Sequence, residues 1–121
     1  TSGQLPFVDG ALSATGKVGT GPGLVAPEVA AGLARAAALN ALAAVAEQAG
    51  SLDRIARVVK LVGFVASDPS FTGQPAVVNG ASELIGQVFG AAGVHARSAV
   101  GVAVLPMDSP VEIELVVELA E

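Results

Sequence analysis

Residues 96 to 114, ARSAVGVAVLPMDSPVEIE, carry the reading on which the fold turns. Successive side chains of an extended strand alternate between faces. Arg97 therefore shares a face with Ala99, Gly101 and Ala103, while Ser98, Val100, Val102 and Val104 take the other. Small neighbours leave room beside a guanidinium, whose rigid and permanently charged fork matches a carboxylate in bidentate fashion. After a turn from Pro106 to Pro110, Val111, Ile113, Leu115, Val117 and Leu119 alternate with Glu112, Glu114, Val116, Glu118 and Ala120. That strand has one apolar and one acidic face. The spacing suggests a hairpin with Val104 opposite Val111, which sets Arg97 opposite Glu118. Two readings of Arg97 follow. It forms a cross-strand ion pair with Glu118, worth at most ~1 kcal/mol at a surface, or it receives a small acidic ligand.

Working back along the chain, Pro27 to Ala49 is expected to be a helix, with Glu28 at its positive end and Gly50 placed to end it in a left-handed conformation. Eleven alanines between Ala30 and Ala49 make it thin, so that it can lie close on a sheet with Leu33, Leu39, Leu42 and Val45 filling the gaps. Asn40 within this apolar surface must find hydrogen bonds and is read as a tie to backbone. Residues 55 to 66 are rich in Val, Ile and Leu without clean alternation, as expected for a central strand covered on both faces. A second helix is expected over Gln74 to Phe89, stopped by Gly90 and Gly93. Asn79-Gly80 is its weak point, and Ser82 and Glu83 are expected to face water. Before the first helix, Thr1 to Phe7 reads as the end of a strand and Asp9-Gly10 as a turn into Ala11 to Ala14. Gly16 to Gly23, with four glycines and Pro22, reads as a flexible connection.

The 121 residues fit a single domain, and no repeat or linker divides them. The chain is 52% hydrophobic and 14% charged, with a mean hydropathy of +0.66, against a usual charged share of about 25%. A lone subunit would expose much of that apolar surface, so association with copies of itself is expected. The apolar stretch between Arg35 and Glu47 falls short of the ~20 residues that cross a bilayer, and no export signal is recognised, so the expected location is cytoplasmic. With no cysteine and one histidine, disulfides, thiolate catalysis and a transition-metal site are not expected. The net charge of −5 and the absence of Tyr and Trp argue against nucleic acid, leaving Arg54, Arg57 and Lys60 as a solvated strand entrance. His95 lies two residues before Arg97 and could act near neutral pH, although a loop role is the simpler reading. Ser98 points away from Arg97, which disfavours a nucleophile pair with His95.

The Arg97 strand leading into Leu105-Pro106 and then Val111-Glu112-Ile113-Glu114, together with the opening Thr1-Ser2-Gly3-Gln4-Leu5-Pro6, resembles the RidA/YjgF proteins, also called the L-PSP endoribonuclease family. The resemblance spans the whole chain and implies an α+β, chorismate-mutase-like fold: a mixed sheet backed by two helices on one face, assembled as a homotrimer with clefts between subunits. It also implies a strand-forming segment ahead of Thr1 that this sequence lacks. The implied reaction is hydrolytic deamination of reactive enamines or imines derived from amino acids, giving a 2-keto acid and ammonia. On that resemblance Arg97 clamps the substrate carboxylate, Gly3 and Ala99 offer backbone groups to the ligand, and Glu112 helps place the attacking water, with no cofactor or metal. Many members carry a cysteine at the position of Ala99 and a tyrosine near the site; this chain has neither. Two alternatives stand beside deamination: a non-catalytic binder of small carboxylates such as 2-keto acids, and an endoribonuclease.

Overall fold

The computed structural model describes all residues from 1 to 121. The first helix, α1 (Pro27–Ala49), begins with proline in its first turn and ends at Gly50, whose φ of 88° lies in the left-handed region open to glycine. It leads through a short turn to β1 (Ile55–Ala66), then to α2 (Gln74–Phe89), β2 (Ala96–Val102) and β3 (Val111–Leu119). The sheet order is β2-β1-β3, with β1 parallel to β2 and antiparallel to β3. A mixed three-stranded sheet with two helices makes this an α+β fold, as the sequence leads one to expect.

The expected hairpin between the last two strands does not form, because β1 lies between them. Arg97 is aligned with Leu61 of β1, Glu118 with Arg57 on the other side of the same strand, and Val104 lies beyond β2 with 68% of its surface exposed. A strand rich in branched side chains gains most at the sheet centre, where both its edges are paired. The intervening helix α2 provides the crossover that parallel β1 and β2 require. Met107 and Asp108 adopt positive φ in the β2–β3 connection.

Arg97, Ala99 and Gly101 align with Leu61, Gly63 and Val65, which in turn align with Leu115, Ile113 and Val111. That set faces the helices. The other face carries Ser98, Val62 and Glu114 in one row and Val100, Phe64 and Glu112 in the next. Two-sided cover is not what blurs the alternation of β1, since Val62 and Phe64 stay half-exposed. The cause is two register shifts, between Ile55 and Arg57 and between Val58 and Lys60.

A single hydrophobic cluster of 20 buried residues joins both helices to the sheet. By length and composition α1 could span a bilayer; in this fold Leu33, Ala37, Ala41 and Val45 on one side of it are buried. Leu39, expected to fill a gap, is 49% exposed on the outer side. Asn40 acts as the expected tie, its Nδ2 donating to the carbonyls of Leu5 at 2.9 Å and Phe7 at 3.0 Å. The opening segment forms only one bridge, Gln4 with Ile113, rather than a full strand. Asp9-Gly10 is a two-residue turn with both φ values positive, bracketed by paired Val8 and Ala11.

The Gly16–Gly23 segment is tied down rather than slack. Val18 is fully buried, donates to Ala66 and accepts from Asp68, and its neighbours Lys17 and Gly19 bond Val25. Asn79-Gly80 likewise does not interrupt α2. Gly80 is where the two helices touch, since a Cβ there would lie 2.0 Å from the Ala31 carbonyl oxygen. Gly63 does the same for α2 on the sheet, where a Cβ would meet Val78 Cγ2 at 2.4 Å. Gly80→Ala is expected to cost about 1–3 kcal/mol in denaturant unfolding by forcing α1 and α2 apart. Gly86→Ala, on the same helix with open space around it, is expected to add about 0.5–1 kcal/mol.

Candidate functional site

Arg97 lies one residue into β2, on the helix-facing side, and its guanidinium reaches the outer turns of α2. Nη1 donates to Asn79 Oδ1 at 2.7 Å and to Ser82 Oγ at 3.3 Å, and Nη2 donates to the Pro75 carbonyl at 3.4 Å. All three acceptors are neutral. A guanidinium carries five N–H donors, so the Nε proton and one Nη2 proton have no protein partner. No carboxylate comes within ion-pair distance of it: the molecule's one salt bridge joins Arg57 Nε to Glu118 Oε2 at 3.3 Å. The cross-strand reading of Arg97 with Glu118 is thereby corrected, because β1 separates the two and hands Glu118 to its own Arg57.

Ser82 does not face water as expected. Its hydroxyl lies 3.0 Å from His95 Nε2 as well as near Arg97, and His95 Nδ1 lies 2.5 Å from the Gly93 carbonyl oxygen. A carbonyl only accepts, so the ring donates to it from Nδ1, and the Ser82 hydroxyl lies against Nε2. His95 is a loop residue, as its simpler reading has it, with its ring held between Ser82 and the Gly93 carbonyl. Asn79 and Ser82, three apart on α2, meet Arg97 in β2 and His95 two residues earlier, in the connection that leads into the strand. Both spacings put side chains on one face. That pattern was the available signal, but only the docking of α2 brings the two pairs together.

The remaining residues singled out from the sequence separate into two groups. Ala99 follows Arg97 on the helix-facing side, partly buried against the core. Glu112 lies on the opposite face, beside Phe64, and its carboxylate packs against the backbone of Gly3, where a Cβ would sit 2.6 Å from Oε1. Within the chain, therefore, Arg97 is near Ala99 and Glu112 is near Gly3, with the sheet between the pairs.

Neither concavity in the chain is lined by Arg97. One of about 490 Å³ lies among Thr1, Gln4, Ala44, Gln48, Val117 and Leu119. Another of about 300 Å³ is bounded by Ser67, Asp68, Phe71, Gln74 and Gly101. The hydroxyl of Ser70 and then its backbone N–H donate to Asp68, and these bonds hold its carboxyl below the usual carboxylate range. An ionised acid at the rim repels small anions, so this second concavity does not suit the ligand that the Arg97 fork suits. No group of three or more His, Asp or Glu side chains is arranged to hold a metal ion.

Residues 1–119 match the family model described as "YjgF/chorismate mutase-like, putative endoribonuclease". The chain belongs to the YjgF family. Among curated proteins it is 49% identical over 119 residues to protein TCP17 of Trypanosoma cruzi, covering 98% of this chain and 72% of that one. Among solved structures it resembles protein Atu1372 of Agrobacterium tumefaciens, described as of unknown function, with 46% identity, a TM-score of 0.90, and 98% and 73% of the two chains covered. The TdcF protein of E. coli, solved with bound serine, shares 25% identity at a TM-score of 0.60, over all of this chain and 79% of its own. The YjgF-family assignment thus rests on the whole chain, Arg97 included.

If Glu118 serves only its exposed partner Arg57, then Glu118→Gln should change stability by less than ~1 kcal/mol. The Arg97 Nε–H resonance should stay unmoved in the same variant by NMR.

Proposed function

We propose that this YjgF-family chain deaminates reactive imines of amino-acid origin by hydrolysis, with Arg97 gripping the substrate carboxylate at an interface between subunits of a homotrimer. The observation that carries this reading is a half-buried guanidinium held by three neutral acceptors, with Nε–H and an Nη2–H unspent. Neutral partners orient the fork and leave its charge for a ligand. The bound serine in TdcF supports a small α-carboxylate as the ligand class.

In an α-imino acid the reacting carbon is one bond from the carboxylate. Fixing the acid group therefore fixes the electrophile, and a positioned water loses much of its entropic barrier. Protonation of the imine nitrogen makes that carbon electrophilic without a metal or a covalent nucleophile. The Ala99 and Gly3 backbones supply further polar contacts to the ligand, and Glu112 places the water. Glu112 and Arg97 of one subunit lie on opposite faces, so the Glu112 that serves a given Arg97 comes from a neighbouring subunit. The exposed face bearing Val100, Phe64 and Val116 supports such packing, since a lone chain leaves these apolar groups in water.

A second reading, carboxylate binding without catalysis, is favoured by one observation: the subunit that supplies Arg97 brings no acid to it. It predicts 2-oxobutanoate binding with no acceleration of ammonia release. Endoribonuclease activity would show steeply salt-dependent RNA affinity, which a net charge of −5 opposes.

Arg97→Ala is expected to weaken 2-oxobutanoate binding by about 10- to 100-fold and to abolish ammonia release from freshly generated 2-aminoacrylate. Undiminished release would overturn the reading. Unfolding and refolding Arg97→Ala together with Glu112→Gln should restore up to about a quarter of wild-type activity, the share of sites built from one intact contribution of each kind. No recovery would place both residues in one subunit's site, and full activity of Glu112→Gln alone would place Glu112 outside it.

A further inference from the structure

We infer that the concavity beside Asp68 receives the far end of the substrate's side chain, and that this end is a cation, so that the preferred imines come from amino acids with a basic side chain. The assignment rests on the deaminase reading above and names its substrate class.

The side chains around this space of about 300 Å³ offer acceptors and no free donor. Gln74 Nε2 spends both protons, on Ser67 Oγ at 3.1 Å and on the Phe71 carbonyl at 2.8 Å, and the Ser67 hydroxyl donates to the Val65 carbonyl at 2.8 Å. Ser70 gives its hydroxyl and its backbone N–H to Asp68 Oδ2. Gln74 Oε1 and Asp68 Oδ1 are left without a protein donor. A group that fills the space must therefore bring its own N–H protons. The Ser70 bonds, and to a lesser degree the nearby charge of Lys17, keep the Asp68 carboxyl ionised, while Lys17 forms no ion pair with it. A positive charge on the incoming group answers that carboxylate, and the Phe71 wall suits the flat face of a guanidinium.

The concavity lies on the side of Arg97 that the ligand occupies. Nη1 is tied to Asn79 and Ser82, whereas Nη2 reaches the carbonyl of Pro75, the residue next to Gln74. The unspent Nε–H and Nη2–H edge thus opens toward the start of α2. On the strand, Arg97, Ala99 and Gly101 share the helix-facing side, and Gly101 bounds the concavity. At 3.3 Å per residue the Cα atoms of Arg97 and Gly101 are roughly 13 Å apart, and the arginine side chain covers part of that span. No strand pairs with the outer edge of β2. Because Ser67 N–H bonds the Val102 carbonyl at 3.0 Å, alternation turns the backbone groups of Ala99 and Gly101 to this open edge. Gly101 also keeps the way clear, since a Cβ there would lie 2.8 Å from Gln74 Nε2 and 3.1 Å from Ser67 Oγ. A carboxylate on Arg97 sets the α-carbon beside Ala99 and sends the side chain along the edge toward Asp68. Three or four methylenes ending in a cation bridge the two. The acid that repels small anions from the concavity then has a purpose: each end of the ligand meets the opposite charge.

The test compares imines generated by an L-amino-acid oxidase from L-arginine and from L-norvaline, which has the same three side-chain carbons and no guanidinium. Acceleration of ammonia release over uncatalysed hydrolysis is measured for wild type, Asp68→Asn and Arg97→Ala, together with affinity for 5-guanidino-2-oxopentanoate and 2-oxopentanoate. Asp68→Asn keeps an acceptor for Ser70 and removes the charge. Wild type is expected to favour the arginine imine in kcat/KM by about 5- to 20-fold. Asp68→Asn should erase that preference and leave the norvaline imine within twofold of wild type, whereas Arg97→Ala should lose both imines alike. Equal kcat/KM for the two imines in wild type, or a preference that survives Asp68→Asn, overturns the side-chain assignment and leaves the Arg97 reading standing. If wild type accelerates neither hydrolysis, the deaminase reading falls and affinity decides the assignment. Tighter binding of 5-guanidino-2-oxopentanoate than of 2-oxopentanoate, lost in Asp68→Asn, then upholds it, and equal binding overturns it.

Discussion

A cation oriented but not neutralised is the constraint on which the rest of this structure depends. Arg97 could have been satisfied by any of eleven acidic residues, and the fold keeps them all beyond ion-pair distance. Dipoles from Asn79, Ser82 and the Pro75 carbonyl fix the guanidinium plane instead. Neutral acceptors cost the ion less than full burial would, and they do not compete for its charge as a carboxylate does. Two close approaches make the arrangement possible. Gly63 lets Val78 sit directly on the sheet, and Gly80 lets the Ala31 turn of α1 press on α2. Together they set α2 at the depth from which Asn79 and Ser82 reach a side chain on β2.

Local signals made most of the elements legible. Pro27, Glu28 and Gly50 frame α1 by capping chemistry alone, and the half-buried amide of Asn40 found backbone carbonyls because an unpaired one would be costly. Pairing was harder to read. Alternation shows which residues share a face but not which strand lies alongside. The short Pro106–Pro110 turn favoured a direct hairpin, whereas the crossover through α2 called for β1 to lie parallel to β2, and a three-stranded solution satisfies both edges of β1. Register shifts in the first half of β1 mimic the pattern of a strand covered on both sides. The glycines of the Gly16–Gly23 segment suggested slack, while Val18, its one large buried apolar side chain, anchors it to the end of β1.

The site was half legible for a related reason. A lone arginine among small residues on one strand is a one-dimensional pattern, and the structure keeps it. Ser82 and Asn79 carry no such mark, since a polar residue on a helix usually faces water. Their role is created by the tertiary contact at Gly80, half of the pair that the sequence marks as the weak point of α2. His95 was ambiguous until Ser82 stood opposite its Nε2.

The division of the expected residues between two faces has a consequence for any small ligand. A molecule the size of an imino acid cannot touch Arg97 and Glu112 of one chain, because the sheet and its side chains intervene. Sequence alone could hint at this, for Arg97 counts onto one face of β2 and Glu112 onto the acidic face of β3. It becomes binding only when β1 is placed between them with Leu61 turned to the helices and Phe64 turned away. In the proposed assembly the half-exposed row of Val100, Phe64 and Glu112 on one chain packs against the edge of another, where Arg97 waits. The same contact that hides the apolar row then closes the site. In that proposed assembly one surface couples folding, association and chemistry, with the unneutralised guanidinium at its rim left for the ligand.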